Sequence, residues 1–276
     1  MIKDIVVQMD PSPAASRRLD LALMLAERTE AHVVGLHVDS FEQMVMYPDI
    51  YASSLMELMA AEAARTVADA RARFDQAIAG RAITTEWRAV KGLVDRKLAE
   101  HARYADLVVL GQNDPDDAKT ASAARVPELV PLTSGKPCLV VPYSEGPSSF
   151  GENILVAWDG SREASRAVAD AMPLLRVAKQ VTVAQIQAAP GDPFAGSLDL
   201  TAFSAHLARH GIMLETRTEA TGGRSVAQAL LSLAAGLSAD LIVMGAYGHT
   251  RLRELILGGV TQEILARMTV PVLMSH

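Results

Sequence analysis

Cysteine is almost absent from this sequence: Cys138 is the single one among 276 residues. One cysteine cannot form an intrachain disulfide, so the fold does not depend on a crosslink within the chain. Cys138 lies in the run PCLVVP (137–142), which is typical of a buried strand. A thiol in such a strand usually behaves as an inert small hydrophobic group, and a reactive role is the alternative.

Positive charge and long apolar runs are also scarce. The chain has 26 Lys and Arg against 32 Asp and Glu, a net charge of −6, so we expect no nucleic acid and no anionic membrane as a partner. No apolar run approaches the ~20 residues that cross a bilayer. The opening MIKDIVVQMDP is interrupted too early for a signal-peptide core. These absences predict a cytoplasmic protein.

Several motifs of catalytic and nucleotide sites are missing. The sequence has no G-x4-G-K-[ST] loop, no G-x-G-x-x-G after a strand and no G-x-S-x-G elbow. The spacing of the serine, histidine and aspartate residues in the sequence does not indicate a catalytic triad either. His206 and His210 have the spacing of two metal ligands on a helix, but no third ligand is fixed nearby. We expect them to be solvated histidines at a helix end, where the dipole favours them.

What the sequence does contain is an internal repeat. Residues 4–38 and 153–186 share a strand-like run, an Asp, a small polar turn, a helical pattern and a second apolar run. Residues 105–142 align without a gap on 239–276. The alignments pair residues of the two halves as follows: Asp10 with Asp159, Ser12 with Ser161, Asp106 with Asp240, Gly111 with Gly245, and Pro137 with Pro271. A repeat at both ends of each half indicates two copies of one structural unit.

The boundary between the halves falls in YSEGPSSFGE (143–152), a Gly/Pro/Ser-rich stretch typical of a linker. We therefore predict two domains, 1–143 and 151–276. In each half, short runs rich in Val, Ile and Leu alternate with helical periodicity, which indicates parallel strands covered on both faces by helices. Each half is predicted to be a doubly wound, five-stranded, parallel-sheet α/β domain.

The segment GAYGHTRLRELILGGVTQEIL (245–265) is the strongest candidate for a binding site. Its glycines precede a predicted helix start, and the free N–H groups of a helix start suit a phosphate. The candidate contacts in this segment are Gly245, Gly248, His249, Gly258, Gly259, Val260 and Thr261. The alternative is structural: Gly245 only ends a strand, Gly248 makes a turn, Gly258 permits close helix packing, and His249 faces solvent.

Asp159 ends the first strand of the second half, and ligands of open parallel sheets bind beyond the carboxyl ends of the strands. We expect Asp159 and Ser161 to contact a ribose or to hold a divalent cation that bridges phosphates, because Mg²⁺ prefers carboxylate and phosphate oxygens. The candidate ligand is therefore a nucleotide.

The glycine spacing resembles the G-x2-G-x9-G-[ST] phosphate loop of the universal stress proteins. With the strand–Asp–turn–helix opening and the closing VPVLMSH, the resemblance covers nearly the whole chain, twice, as in a tandem universal stress protein. It implies a Rossmann-like fold of the adenine nucleotide alpha hydrolase type, binding of ATP with Mg²⁺, and pairing of domains through their last strands. It also implies that Asp159 lies near ribose and metal, that the backbone of Ile186 contacts adenine, and that the glycines contact phosphate.

Two departures limit the resemblance. Gly259 stands where the family has Ser or Thr, so a hydroxyl contact worth about 0.5–1.5 kcal/mol is lost. In the first half, Asp114, Ala124 and Arg125 replace the later glycines, and further acidic residues should repel phosphate, although Asp10, Ser12 and Val38 are kept. We therefore predict one nucleotide site per chain, in the C-terminal half.

The sequence thus predicts a stress-response regulatory protein that binds ATP and hydrolyses it slowly at most. One alternative is a nucleotide-free scaffold acting through protein contacts. Another is an enzyme on the same fold, against which the missing catalytic set argues. We expect the two halves to pair as a pseudo-dimer and two chains to form a homodimer, with protein partners that the sequence does not identify.

Overall fold

Strands and helices alternate along the whole described part of the chain in the computed structural model. The structure describes residues 1–40, 53–117, 125–145, 148–187, 200–248 and 259–276. The chain divides into two units, Met1–Tyr143 and Ser144–His276. No helix within the described ranges combines the length and apolar character of a bilayer crossing.

The N-terminal unit is a parallel sheet of five strands in the order β3-β2-β1-β4-β5. Its elements in chain order are β1 (Asp4–Gln8), α1 (Ala14–Thr29), β2 (His32–Asp39), α2 (Ser53–Ile78), β3 (Thr85–Lys91), α3 (Val94–Ala102), β4 (Leu107–Gly111), α4 (Val126–Ser134) and β5 (Cys138–Val141).

The C-terminal unit repeats this plan, with the strand order β8-β7-β6-β9-β10 and parallel pairing throughout. Its elements are β6 (Asn153–Ala157), α5 (Arg162–Leu175), β7 (Gln180–Gln187), α6 (Leu200–Arg209), β8 (Glu215–Ala220), α7 (Val226–Gly236), β9 (Leu241–Gly245), α8 (Gly259–Arg267) and β10 (Val272–Ser275). The predicted doubly wound α/β class is confirmed for both halves.

The central strands are buried on both faces, as their unbroken apolar sequences require. Residues 107–110 of β4 and 241–244 of β9 are all buried. The edge strand β8 differs, because all of its residues are exposed and charged side chains alternate with small ones (ETRTEA). Charge on an edge strand discourages pairing with another chain.

Asp106 and Asp240 are equivalent positions of the repeat, and their side chains make equivalent hydrogen bonds in the two units. The Asp106 carboxylate accepts hydrogen bonds from the backbone N–H groups of Lys3 and Asp4 at 2.7 and 3.1 Å. The Asp240 carboxylate accepts them from Glu152 and Asn153 at 3.1 and 3.0 Å. Each aspartate therefore ties the start of the fourth strand of its unit to the start of the first.

In each unit the strand order reverses beside the first strand, which lies between the second and the fourth. Helices on the two sides of such a switch point diverge and leave a crevice beyond the carboxyl ends of the strands. In the C-terminal unit this crevice lies at the ends of β6 and β9, where Asp159, Ser161, Gly245 and Gly248 are found.

Candidate functional site in the C-terminal crevice

Asp159 and Ser161 build the turn that leads from β6 into α5. Oδ1 of Asp159 accepts a hydrogen bond from the N–H of Ser161 at 2.9 Å. Ser161 is the N-cap of α5, and its Oγ accepts the N–H of Ala164 at 3.1 Å. Both side chains therefore hold the backbone at the carboxyl edge of the sheet, while Asp159 itself stays exposed to the crevice.

Gly245, at the end of β9, lies directly against the first turn of α5. A Cβ at this position would stand 2.5 Å from the backbone nitrogen of Ala164 and 2.7 Å from the carbonyl carbon of Glu163. Backbone atoms cannot yield to such a contact without moving the helix. Gly245 is thus required for close approach of α5 to the sheet, whether or not a ligand is present.

Gly248 packs over the same turn. A Cβ there would meet Oγ of Ser161 at 3.1 Å and Oε2 of Glu163 at 3.2 Å. Glu163 is only 7% exposed, and its Oε1 accepts a hydrogen bond from Nε of Arg162 at 2.9 Å. The N-terminus of α5 favours this carboxylate through its free N–H groups and dipole. A carboxylate that is ion-paired with Arg162 therefore lies at the floor of the crevice.

Sequence reasoning missed Glu163. The repeat places it on Ala14 of the first half, so nothing in the shared pattern marked the position. The available signal was local: Glu163 follows closely on an N-cap serine, at the start of a helix where carboxylates are favoured.

Thr261 makes a hydrogen bond to the backbone of the glycine segment. It is 3% exposed, and its Oγ1 accepts the backbone N–H of Tyr247 at 3.3 Å. Tyr247 has a left-handed backbone, with φ of 60°. Gly259 and Val260 begin α8 on the exposed side, and a Cβ at Gly259 would meet nothing within 4 Å. The predicted contacts His249 and Gly258 lie outside the described residues.

Ile186 lies near the end of β7, beyond the point where β6 stops. The N–H of Trp158 donates to the carbonyl of Ala184 at 2.8 Å, which ends the β6–β7 ladder. Because backbone groups of a strand repeat every second residue, the N–H and C=O of Ile186 point the same way as the Ala184 carbonyl, past the end of β6. The Trp158 ring stacks on Phe203, with centroids 4.0 Å apart.

No three His, Cys, Asp or Glu side chains are grouped for metal binding anywhere in the described residues. The rings of His206 and His210 meet edge to face at 4.9 Å, and Nδ1 of His210 lies 3.2 Å from Nη2 of Arg176, so it can accept that donor's hydrogen. Asp159 fits a different arrangement, in which Mg²⁺ takes one or two carboxylates from the protein and its other ligands from phosphate and water.

In the corresponding crevice of the N-terminal unit, the Arg18 side chain of the same unit occupies part of the space. Arg18 is 1% exposed and donates from Nη2 to Oδ2 of Asp10 at 2.8 Å. A Cβ on Gly111 would stand 2.0 Å from Nη1 of Arg18. The C-terminal unit has Ala167 at the position of Arg18 in the repeat. Asp10 is therefore neutralised by its own chain, whereas Asp159 is exposed at the crevice.

These features define a tandem pair of doubly wound α/β domains, of which the second has Gly245 and Gly248 packed against the turn after β6 at its switch point. A model of the universal stress protein family matches residues 1–142 and 151–276. The chain belongs to the universal stress protein family.

Individual relatives agree with this assignment. The chain is similar to a universal stress protein structure from Archaeoglobus fulgidus DSM 4304, at 18% identity and a TM-score of 0.72, over 98% of this chain and 94% of that one. A Pseudomonas aeruginosa UCBPP-PA14 structure of the same family is 18% identical, with a TM-score of 0.63 over 99% and 92% of the two chains. Both likenesses concern the fold. A universal stress protein of Synechocystis sp. is 47% identical over 34 residues, a match that spans 12% of this chain and 12% of that relative.

Proposed function

We propose that this protein binds an adenine nucleotide, ATP, in the crevice of its C-terminal unit and acts as a nucleotide-dependent regulator in the stress response. Hydrolysis is slow at most. The proposal rests chiefly on the contact of Gly248 with the Ser161–Glu163 turn, which brings the glycine segment and the turn after β6 to one place at the carboxyl edge of the sheet.

Each predicted residue has a part in this proposal. The backbone of Ile186 receives the adenine. The N–H groups of Gly259 and Val260, at the exposed start of α8, receive phosphate together with the glycine segment, as helix N-termini commonly do. Asp159 holds the Mg²⁺ that accompanies the nucleotide. Contacts of His249 and Gly258 with phosphate remain predictions.

Glu163 adds a condition to the proposal. A carboxylate against Gly248 repels an uncompensated phosphate, because like charges a few ångströms apart cost several kcal/mol in a partly buried site. The guanidinium of Arg162, 2.7 Å from Oε1 of Glu163, and the Mg²⁺ of the nucleotide offset this repulsion. We therefore expect ATP to bind with Mg²⁺ and to bind poorly without it.

A second function has an observation of its own. A side chain at position 245 would overlap the backbone of α5, and a side chain at position 248 would press against Ser161 and Glu163. Both glycines therefore have a structural reason that needs no ligand. This observation favours a nucleotide-free scaffold that acts through protein contacts.

Calorimetric titration of ATP into nucleotide-stripped full-length protein, with and without Mg²⁺, decides between the two functions. The test variant is Gly248→Asp, which places a second carboxylate beside Glu163. The control is Gly236→Asp, at the end of α7, where a Cβ meets nothing within 4 Å. Binding of one ATP per chain, abolished only by Gly248→Asp, supports the nucleotide site. Absence of binding to the unaltered protein supports the scaffold.

Association of the chain stays a prediction. The resemblance implies pairing of the two halves and a homodimer, and sedimentation equilibrium of the full-length protein measures whether two chains associate.

A further inference from the structure

Both hydrogen-bonding groups of the Ala246 backbone are held by Ser275, the last residue of β10, and by the residue that follows it. The N–H of Ala246 donates to the carbonyl of Ser275 at 2.8 Å. The carbonyl of Ala246 lies 3.0 Å from Nδ1 of His276. A carbonyl oxygen only accepts hydrogen bonds, so this contact places the ring hydrogen on Nδ1 and makes His276 the donor. Ala246 is 0% exposed, so its carbonyl depends on a donor from the protein.

His276 and Thr261 hold the two sides of one peptide group in the glycine segment. The carbonyl of Ala246 and the N–H of Tyr247 belong to the same planar peptide. His276 donates to the carbonyl, and Oγ1 of Thr261 accepts the N–H at 3.3 Å. Tyr247 has φ of 60°, a left-handed backbone that a residue with a side chain keeps only where its surroundings fix it. The two hydrogen bonds prevent this peptide from rotating, and they thereby fix the approach to Gly248.

Ser275 gives this arrangement a rigid base. Its side chain is buried, and its Oγ donates to Oδ2 of Asp170 at 2.9 Å. The same carboxylate oxygen accepts from Nε of Arg166 at 2.8 Å. Asp170 and Arg166 belong to α5, the helix whose first turn contacts Gly245 and Gly248. The residues at the end of β10 are therefore tied to α5 as well as to the glycine segment.

The repeat separates the part of this arrangement that belongs to the fold from the part that is special to the C-terminal unit. The N-terminal unit keeps the backbone bond, in which the N–H of Gln112 donates to the carbonyl of Val141 at 2.8 Å. At the position of His276 it has Pro142, which carries no side-chain donor. The side-chain donor thus occurs in the unit that retains Gly248.

We propose that His276 is a positioning residue of the C-terminal crevice. By holding the Ala246–Tyr247 peptide, it keeps residues 245–248 in the backbone conformation that receives phosphate, without touching the ligand itself. Binding is stronger when the loop is ordered in advance, because less conformational entropy is lost. The role in phosphate binding rests on the proposed function, whereas the hold on the peptide does not depend on it.

The first test is amide hydrogen exchange of the nucleotide-free protein, followed by NMR. His276→Leu removes the donor, and His276→Asn keeps an N–H group on the atom bonded to Cγ, as Nδ1 is in histidine. The Tyr247 amide should exchange about three- to tenfold faster in His276→Leu and within about twofold of the unaltered rate in His276→Asn. The Ile242 amide, bonded to the Pro271 carbonyl at 3.0 Å, should keep its rate in both. An unchanged Tyr247 rate in His276→Leu, or equal increases in the two variants, would overturn the proposal.

The second test is calorimetric titration of ATP with Mg²⁺ into the same proteins. His276→Leu should weaken binding about three- to tenfold, and His276→Asn should restore it to within about twofold. His206→Leu, the same substitution on the exposed face of α6, is the control and should bind as the unaltered protein does. ATP binding that His276→Leu leaves intact would overturn the positioning role. If the unaltered protein does not bind ATP, the proposed function fails, and the exchange rate of Tyr247 alone decides whether His276 holds the peptide.

Discussion

The carboxylate of Glu163 lies against Gly248, so close that a Cβ on the glycine would stand 3.2 Å from Oε2. A residue that the repeat did not mark thus sits in the place where the resemblance to the universal stress proteins implies phosphate. The two groups belong to distant parts of the chain and meet because β6 and β9 are neighbours in the sheet. This relationship sets the charge that any ligand of the crevice encounters.

The first prediction concerns Glu163 and the proposed ATP site. Glu163→Gln keeps the size of the side chain and removes its charge, so ATP should bind about tenfold tighter and depend less on Mg²⁺. Titration calorimetry measures both effects. The control is Glu215→Gln on the exposed edge strand β8. Unchanged or weaker ATP binding by Glu163→Gln would show that the carboxylate does not oppose phosphate.

The second prediction concerns Gly245. Gly245→Ala should destabilise the C-terminal unit by about 1–3 kcal/mol, because its Cβ would overlap the backbone of α5. Gly259→Ala is the matched control: its Cβ meets nothing within 4 Å, and alanine favours a helix. In a Trp87→Phe background, Trp158 is the remaining tryptophan and reports urea unfolding of this unit. Equal midpoints for the two variants would refute the packing role.

The third prediction concerns the Arg18–Asp10 pair. Its side chains are 1% and 14% exposed, so Arg18→Met should cost roughly 3–5 kcal/mol by leaving Asp10 without its partner. Arg65→Met is the control, since Arg65 lies 3.9 Å from Glu62 and is 77% exposed, and it should cost less than about 1 kcal/mol. Urea unfolding followed by Trp87, with Trp158 replaced by Phe, measures both. A cost for Arg18→Met as small as that of Arg65→Met would argue against a structural ion pair.

The fourth prediction concerns His37 and pH. Burial lowers the pKa of His37 below 6.5, against the hydrogen bond of Nδ1 with the Met9 carbonyl and the charges of Asp39 and Asp10. As the pH falls through 6.5, the unfolded chain therefore takes up a proton more readily than the folded one, and the free energy of unfolding decreases.

His37→Gln removes this effect and introduces the residue of the repeat-equivalent position, Gln185. Its unfolding midpoint should fall less between about pH 7 and pH 5 than that of the unaltered protein. His206→Gln, on the exposed face of α6, is the control. Parallel pH profiles for His37→Gln and the unaltered protein would contradict the prediction.

The fifth prediction concerns Cys138. Burial raises the pKa of its thiol to about 12, so almost no thiolate forms near neutral pH. Because the thiolate is the reactive form, a thiol reagent such as DTNB should not react with the folded protein and should titrate one thiol per chain in denaturant. Rapid reaction of the folded protein with DTNB would instead support a reactive role for Cys138.

The sequence was a good guide to the architecture. Unbroken apolar runs such as 107–110 and 241–244 are typical of a parallel strand covered on both faces, and the repeat extended that inference from one half to the other. Family membership followed from the same patterns, because strand ends, the turn aspartate and glycine spacing are local in the sequence.

The candidate site was predicted less completely. In the structure, Gly245 and Gly248 both pack against the turn formed by Ser161, Glu163 and Ala164. The contact of Glu163 with Gly248 and that of Arg18 with Gly111 were not predicted, since each depends on what a side chain meets across the sheet. In the repeat, Ala14 is equivalent to Glu163 and Ala167 is equivalent to Arg18. Comparison of the two halves therefore indicated neither charged residue.

By itself, the sequence determined the two α/β units and the parallel sheet in each of them. Only the tertiary structure decided the charge of the two crevices. Pairing of β1 with β4 puts Arg18 against Gly111, and pairing of β6 with β9 puts Glu163 against Gly248. Contacts between residues far apart in the chain arise from strand pairing, and the electrostatics of a crevice depend on those contacts.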